Sequence, residues 1–222
     1  MADGYRIQQE LVKLLLAEGD RVIGHKVGAT SEAMQELIGL NTPDYGPVLA
    51  STVFRDGAEV SVGNFISPKL EAEIGFVLGE RLLGPGITPE RARRAISGAV
   101  ASMEIVDSRI RDWRIRLADT VADLASNGAM VASENVVAVT DYDPRMIGMV
   151  LSRNGEPIDA GVGAAALGDP VAVVAWLANV LGGDGVALEP GHLIHAAVPM
   201  LPGDHFLAEF DRLGDVRISV CD

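Results

Sequence analysis

The nine residues Leu70-Glu-Ala-Glu-Ile-Gly-Phe-Val-Leu78 alternate in polarity with the two-residue period of a β-strand. Five apolar side chains then share one face, while Glu71 and Glu73 share the other with only Gly75 and Val77 beside them. Like charges that are neighbours on one face of a strand repel each other, so this face needs a compensating cation or open solvent. The pair therefore indicates either a divalent-metal site or a solvent-facing acidic edge strand.

A third glutamate favours the metal site. Glu104 interrupts the apolar run Val100 to Val106, which is typical of a buried strand. An ionised carboxylate in such a strand is costly unless it is paired or bound to a metal. Because Glu71, Glu73 and Glu104 have no evident cysteine or histidine partner, they predict an oxygen-only site for Mg²⁺ or Mn²⁺ rather than Zn²⁺.

The remaining pattern mixes helices and strands without regular βαβ alternation, which predicts an α+β fold in one domain over residues 1–222. Helices are expected at Ile7–Leu15 before Gly19, from Thr30–Ser31 to Gly39, after Thr88-Pro89-Glu90, and from Asp169-Pro170 to about Leu181. Strands are expected at Arg21–Val27 and Ala99–Val106 and near Leu193, Phe206 and Val216. Asn41–Gly46 has the composition of a loop, and Asp56-Gly57 and Asn154-Gly155 are hairpin signals, the first between Val48–Phe54 and Glu59–Val62.

Composition excludes several classes of protein. The net charge of −13 disfavours binding to nucleic acid or anionic lipid. Arginines 109, 111, 114 and 116 alternate with aspartates, which predicts a solvated or ion-paired face. The longest apolar stretch is shorter than the ~20 residues of a membrane span, no signal peptide is visible, and Cys221 is the single cysteine. We therefore expect a cytoplasmic protein that needs neither a membrane nor a disulfide.

Several motifs in the same order resemble one family, the 2-keto-4-pentenoate hydratase and 4-oxalocrotonate decarboxylase group of the fumarylacetoacetate hydrolase superfamily. They extend from about Gly4 to the C-terminus, and a set of this kind is far more specific than any single motif. They are Gly24-His-Lys-Val-Gly28, Pro43-Asp-Tyr-Gly46, Pro68-Lys-Leu-Glu-Ala-Glu-Ile74, Met103-Glu-Ile-Val-Asp-Ser-Arg-Ile110, Asp119 with Val121-Ala-Asp123 and Ala125-Ser126, Asn154-Gly155, Gly161 to Asp169, and Trp176-Leu-Ala-Asn179.

The resemblance implies a roll of mixed β-sheets with peripheral helices, in an oligomer. It implies that Glu71, Glu73 and Glu104 ligate Mg²⁺ or Mn²⁺, and that Lys26 lies near a substrate carboxylate or enol oxygen. Asp44 is then the candidate acid/base group and Ser126 a polar contact. The implied reaction adds water to a 2-hydroxy-2,4-dienoate, giving a 4-hydroxy-2-oxo acid, in the breakdown of aromatic or related compounds.

Three departures from the family pattern fall mainly at the substrate end of the site. The N-terminal helical region is shorter than is usual for the family. Leu124 replaces an asparagine, and Gly191 to Pro199 lacks a Thr-Gly-Ser stretch, so that His195 is a candidate for rebuilding the pocket that holds the substrate carboxylate.

Other activities stay open. A 4-oxalocrotonate-type decarboxylase would use the same electron sink, and a C–C hydrolase or tautomerase of acylpyruvate-like acids is a further alternative. The departures also fit a non-catalytic partner in a complex with another enzyme of the pathway. Gly161–Ala166 imitates a dinucleotide fingerprint in the wrong context. His192, His195 and His205 are expected to be solvent-exposed or structural, and Trp113 and Trp176 to lie in the core or an interface.

Overall fold

The computed structural model describes residues 2–31, 35, 42–140 and 142–222. These residues form two mixed β-sheets with helices at their periphery, as the alternation of short apolar strands and capped helices predicts. The helices are α1 (Ala2–Ala17), α2 (Pro89–Ala95), α3 (Leu117–Ala122) and α4 (Pro170–Gly183). The strands are β1 (Val22–Gly28), β2 (Asp44–Leu49), β3 (Val53–Arg55), β4 (Ala58–Ser61), β5 (Lys69–Leu78), β6 (Ile96–Val106), β7 (Asn127–Ala132), β8 (Gly148–Arg153), β9 (Glu156–Val162), β10 (Leu193–His195), β11 (Val198–Pro199), β12 (His205–Phe210) and β13 (Gly214–Cys221).

The larger sheet has the strand order β2-β1-β10-β5-β6-β7-β3, and β11 also pairs with β5. Strands β5 and β6 are antiparallel over most of their length and form the centre of the sheet. The pairs β1–β10 and β3–β7 are parallel, so the sheet is mixed. The central position of β5 and β6 explains why their apolar sides are buried. Almost no surface is accessible on Leu70, Phe76, Met103 and Ile105.

The smaller sheet has the order β4-β13-β12-β8-β9. Its β8–β9 hairpin confirms the Asn154-Gly155 signal, because both turn residues have the positive φ that a tight hairpin requires (55° and 85°). Phe206, Leu151 and Val216 pack in the common core between the sheets.

Two sequence predictions about β-structure are wrong. Asp56-Gly57 is a turn but not a hairpin, since β3 pairs with β7 in the larger sheet and β4 with β13 in the smaller one. The predicted strand Val48–Phe54 is broken by a 3₁₀ turn, Ala50–Thr52. The chain changes sheets here, and Asp56 instead accepts a hydrogen bond from the Arg217 backbone N–H (2.7 Å).

The predicted loop Asn41–Gly46 is also wrong from Asp44 onward, where β2 begins, because pairing with β1 overrides the local turn composition. Asn41 and most of the helix expected between Thr30 and Gly39 lie outside the described residues.

Helix α1 confirms the first predicted helix, but not the face expected to be buried. Ile7 and Leu14 are 57% and 64% exposed, whereas Gln8 is buried. The Gln8 amide donates hydrogen bonds to the carbonyls of Tyr45 (3.0 Å) and Val121 (2.8 Å), and this pairing orients the helix. A polar anchor therefore sets the docking of α1 where hydrophobic periodicity predicts an apolar one.

Helix α4 is apolar on most sides, and residues 163–183 have the length and composition of a candidate membrane span. The α-helix itself covers 14 residues, or about 21 Å, which is shorter than the ~30 Å of a bilayer core. Eight of its residues are buried against the rest of the chain, which is the environment of a core helix.

The remaining sequence signals have structural roles. Arg109 pairs with Asp123 and Arg114 with Asp112, as expected for an ion-paired face. The Trp113 ring lies 3.9 Å from Lys69 Nζ, and Trp176 packs edge-on against Tyr45 in the interior.

Candidate metal centre and active site

Strands β5 and β6 bring the three predicted glutamates together. Glu71 lies directly opposite Glu104 in the antiparallel register, and Glu73 lies two residues further along the same face of β5. One carboxylate oxygen from each of the three lies within 4.8 Å of the others. The alternative of a solvent-facing acidic edge strand is wrong, because β5 lies between β10 and β6 and Glu104 is fully buried.

The hydrogen bonds of the carboxylates show whether a cation fits among them. Within the described part of the chain, Glu73 Oε2 and both oxygens of Glu104 are buried without a hydrogen bond. Burial and the neighbouring Glu104 and Glu71 raise the pKa of Glu73 well above its usual range, and burial raises that of Glu104 to about 7. A divalent cation that takes oxygen ligands would satisfy these oxygens and offset the repulsion.

Lys26 supplies the positive charge next to this cluster. It lies on β1, and its Nζ is 3.3 Å from Glu104 Oε1 and donates a hydrogen bond to the Ala125 carbonyl (3.0 Å). Burial lowers the pKa of Lys26, but Glu104, Asp44, Glu71 and Glu73 together outweigh that effect and raise it. The ammonium is therefore protonated at neutral pH, although its side chain is almost completely buried.

Asp44 lies beside Lys26 because β1 and β2 pair with Gly28 opposite Asp44. A Cβ atom on Gly28 would lie 2.3 Å from Asp44 Oδ1 and 3.3 Å from Lys26 Nζ, so glycine leaves the space in which the two charged groups approach each other. Burial raises the pKa of Asp44, although Lys26 acts in the opposite direction. A raised pKa suits a carboxyl group to act as a general acid/base.

Ser126 belongs to a strained turn beside Lys26. Leu124, Ala125 and Ser126 all have φ near +55°, a region that costs roughly 1–2 kcal/mol per non-glycine residue. The turn presents the Ala125 carbonyl to Lys26, whereas the Ser126 hydroxyl shares a hydrogen bond with Thr120 (3.1 Å). Leu124 is the position where the family pattern has asparagine, which tolerates this backbone better. The structure thus brings five of the six predicted residues together. Ser126 follows Ala125, whose carbonyl contacts Lys26, but its own hydroxyl contacts Thr120 instead.

Sequence reasoning named His195 only as a candidate for rebuilding the carboxylate pocket, and it missed Ser102. The prediction that His195 is solvent-exposed or simply structural is wrong in its first part, because its side chain is fully buried on β10 between Lys26 and Gly75. Ser102 lies opposite Glu73 and is hydrogen-bonded to the His195 ring at 2.8 Å. The available signal was the spacing of Ser102, which is two residues from Glu104 and so on the same face of β6.

A cavity of about 180 Å³ lies where the two sheets meet. Its wall is mostly apolar and includes Ala72, Ile74, Ile147, Met149, Ala166 and Phe210, and Glu73 also belongs to it. Ala72 and Ile74 alternate with the glutamates along β5, so their side chains face the opposite side of the sheet from the three carboxylates. The cavity is therefore separated from the charged cluster by β5.

The raised pKa of Glu104 predicts how the metal-free protein responds to pH. The folded state retains a proton to about pH 7, whereas the unfolded chain releases it near the ordinary value of 4.5. This contribution to stability is complete below that ordinary value and is lost as the pH rises through about 7. We expect the free energy of unfolding, measured by urea titration in chelator, to be lower at about pH 8 than at about pH 6.

Mn²⁺ should act in the opposite direction and stabilise the protein more at about pH 8, because metal binds the ionised carboxylates. Glu104→Gln is the control, since it should make the pH trend smaller by removing the contribution of Glu104. A trend of equal size in wild type and Glu104→Gln would contradict the assignment.

Comparison with known proteins agrees with the geometry. The fumarylacetoacetate (FAA) hydrolase C-terminal family model matches residues 25–221. The TodF product hydratase of Pseudomonas putida is 41% identical over 220 residues, covering 97% of this chain and 82% of that protein. The 2-hydroxyhexa-2,4-dienoate hydratase of Comamonas testosteroni is 39% identical over 224 residues, covering 98% and 85%.

Among solved structures, 4-oxalocrotonate decarboxylase from Pseudomonas putida G7, complexed with magnesium and adipate, superposes with a TM-score of 0.95. It is 34% identical in sequence, and the match covers 99% of this chain and 85% of that one. The mixed-sheet α+β fold expected from the sequence is thereby confirmed. The family model and the relatives span nearly all of the chain, which therefore belongs to the fumarylacetoacetate hydrolase family.

Proposed function

We propose that the protein is a divalent-metal-dependent hydro-lyase that adds water to a 2-hydroxy-2,4-dienoate and produces a 4-hydroxy-2-oxo acid. The observation that carries the proposal is the buried trio Glu71, Glu73 and Glu104 with Lys26 at 3.3 Å from the last of them. Relatives that are 39% and 42% identical are a 2-hydroxyhexa-2,4-dienoate hydratase and a 2-hydroxypent-2,4-dienoate hydratase, which supports the same reaction class here.

The three glutamates would hold the metal ion through their oxygens, and we infer Mg²⁺ or Mn²⁺ because no softer ligand takes part in the described cluster. The related decarboxylase was solved with magnesium and also with calcium, which are ions of the same oxygen-preferring type. When bound, the ion supplies positive charge that stabilises an enolate oxygen in the transition state.

The other residues of the site have distinct proposed roles. Lys26 is a fixed ammonium that attracts the carboxylate or enol oxygen of the substrate. Asp44 is the acid/base group that moves a proton between the enol and the carbon chain. Ser126 would provide a polar contact at the turn that also presents the Ala125 carbonyl to Lys26.

The reaction balances as a net addition of water. The enol O–H proton leaves and a proton is added to the terminal carbon of the diene, which gives a conjugated enone. Water then adds its hydroxyl to C4 and a proton to C3, so that the 4-hydroxy-2-oxo acid forms.

The test is an assay of the purified protein with Mg²⁺ or Mn²⁺ against 2-hydroxypenta-2,4-dienoate. We expect the dienol absorbance to disappear and 4-hydroxy-2-oxopentanoate to form, and chelator should abolish both changes. If the protein binds neither metal nor dienoate, the hydro-lyase proposal is wrong and the non-catalytic partner of a lyase complex is favoured.

A decarboxylase is the second candidate, because the solved 4-oxalocrotonate decarboxylase is 34% identical and superposes over 99% of the chain. The parallel assay measures CO₂ release from 2-oxohex-3-enedioate. Faster turnover of that diacid than of the dienoate would assign the protein to the decarboxylases instead.

A further inference from the structure

His195 lies among the charged residues of the site without a part in the reaction described so far. Its register partners are Lys26 on β1 and Gly75 on β5, and directly paired residues carry their side chains on the same face of a sheet. A Cβ atom on Gly75 would lie 3.1 Å from His195 Cε1. The imidazole therefore lies over Gly75 and reaches across β5 toward Glu73 and Ser102.

The hydrogen bonds of Ser102 determine where the imidazole carries its proton. The Ser102 hydroxyl donates to the Glu73 backbone carbonyl at 2.8 Å, and its oxygen lies 2.8 Å from His195 Nδ1. A hydroxyl has one proton to donate, and a carbonyl can only accept. Nδ1 must therefore be the donor to Ser102, and in the neutral ring Nε2 then carries a bare lone pair.

The His195 ring is neutral, because an imidazolium would be costly in a fully buried position where Glu73 Oε2, at 3.9 Å from Nδ1, is beyond hydrogen-bond distance. Its Nε2 atom is buried and has no hydrogen-bond partner among the described residues. Leaving a buried acceptor unpaired is unfavourable, so a ligand that brings a donor to this atom gains affinity.

The bare lone pair restricts what His195 can recognise. It cannot donate to a carboxylate, so the expectation that His195 rebuilds a pocket for the substrate carboxylate does not fit this tautomer. The ring is also outside the described cluster of possible metal ligands, which consists of the three glutamates. An O–H group is the partner that fits.

We propose that His195 Nε2 accepts a hydrogen bond from the 2-hydroxyl group of the substrate and so selects the enol over its 2-oxo tautomer, which has no O–H there. This inference rests on the proposed function and names a specificity-determining residue for it. Ser102 is a positioning residue that keeps the acceptor nitrogen unprotonated through Nδ1.

The location favours the enol hydroxyl over the water molecule that adds to the chain. His195 Nδ1 is 3.9 Å from Glu73 Oε2, and its strand neighbour Lys26 is the residue proposed to attract the enol oxygen. Water adds to C4, two carbons away from the enol carbon.

His195→Asn separates the two nitrogens of the ring. The asparagine amide can still donate to Ser102, but nothing replaces Nε2. We compare binding of 2-hydroxypentanoate and 2-oxopentanoate to the Mn²⁺-loaded protein by calorimetry. The preference of wild type for the hydroxy acid should fall by about threefold to tenfold in His195→Asn, which is the loss of one neutral hydrogen bond.

The ¹⁵N NMR spectrum of the histidine rings tests the tautomer independently of activity. In wild type, Nδ1 of His195 should resonate as a protonated nitrogen and Nε2 as an unprotonated one, and 2-hydroxypentanoate should shift the Nε2 signal. Ser102→Ala removes the acceptor for Nδ1–H and should mix the tautomers. If Nε2 carries the proton in wild type, the inference is overturned.

The outcomes separate this inference from the proposed function. Failure of wild type to bind Mn²⁺ or to consume the dienoate would overturn the hydro-lyase proposal. An active wild type whose preference for the hydroxy acid survives unchanged in His195→Asn would overturn the role of His195 alone. Loss of that preference, with Mn²⁺ affinity retained, supports the role.

Discussion

Glu73→Gln should abolish tight binding of Mg²⁺ or Mn²⁺ and at the same time make the metal-free protein more stable. Glutamine keeps the volume of the side chain but removes one of three charges whose oxygens converge within 4.8 Å. Since replacing groups that merely orient metal ligands typically costs 10–100-fold in affinity, loss of a ligand should cost at least about 100-fold. Turnover of the dienoate should fall by a comparable factor.

The gain in metal-free stability has a separate cause. Burial and the charges of Glu104 and Glu71 raise the pKa of Glu73, so at neutral pH the fold must either hold an unfavourable charge there or take up a proton, and both cost stability. A neutral amide relieves that repulsion and also lowers the charge that acts on Glu104. The midpoint of urea unfolding in chelator should therefore rise, whereas the shift of the midpoint on adding Mn²⁺ should disappear.

Glu209→Gln is the matched control, because Glu209 is an exposed glutamate on β12. It should leave metal affinity, turnover and metal-free stability unchanged within error. A Glu73→Gln protein that binds Mn²⁺ as tightly as wild type would exclude the glutamate trio as the metal site. Glu73→Ala, which also should retain the fold, checks that glutamine oxygen does not itself act as a ligand.

The metal end of the site could be predicted from the sequence because it depends on two strands with strong local signals. Alternation places Glu71 and Glu73 on one face whatever the neighbours are, and the apolar run around Glu104 requires burial. The pairing of Glu104 with Glu71 depends on the register between β5 and β6, and so on the whole sheet.

The other parts of the site, and the orientation of α1, depend on contacts between segments that are distant in sequence. Asp44 lies in a strand because β1 pairs with it, although its local composition is that of a turn. His195 lies in the site because β10 lies between β1 and β5, an order that follows from no local pattern. Helix α1 could be predicted as a helix, but its orientation depends on Gln8 and on carbonyls that belong to β2 and α3.

Lys26→Met should have the opposite profile to Glu73→Gln, with metal binding retained and both turnover and metal-free stability lost. Methionine preserves the apolar stem of the buried side chain but leaves Glu104 and Asp44 without their cation. Removing one partner of a buried ion pair costs up to about 3–5 kcal/mol, reduced here by whatever Glu104 recovers on taking up a proton. Dienoate turnover should fall by at least about 100-fold, since a fixed charge at the developing oxyanion is lost.

Metal affinity is the measurement that separates the two variants. Lys26 repels a cation bound at the glutamates, so Mn²⁺ should bind the Lys26→Met protein at least as tightly as wild type and should restore more stability to it. Lys13→Met is the matched control, because Lys13 is exposed on α1 and pairs with Glu10 at the surface. If Lys26→Met lost Mn²⁺ binding as completely as Glu73→Gln while its fold stayed intact, Lys26 would be part of the metal-binding structure itself rather than the neighbouring group that acts on the substrate oxygen.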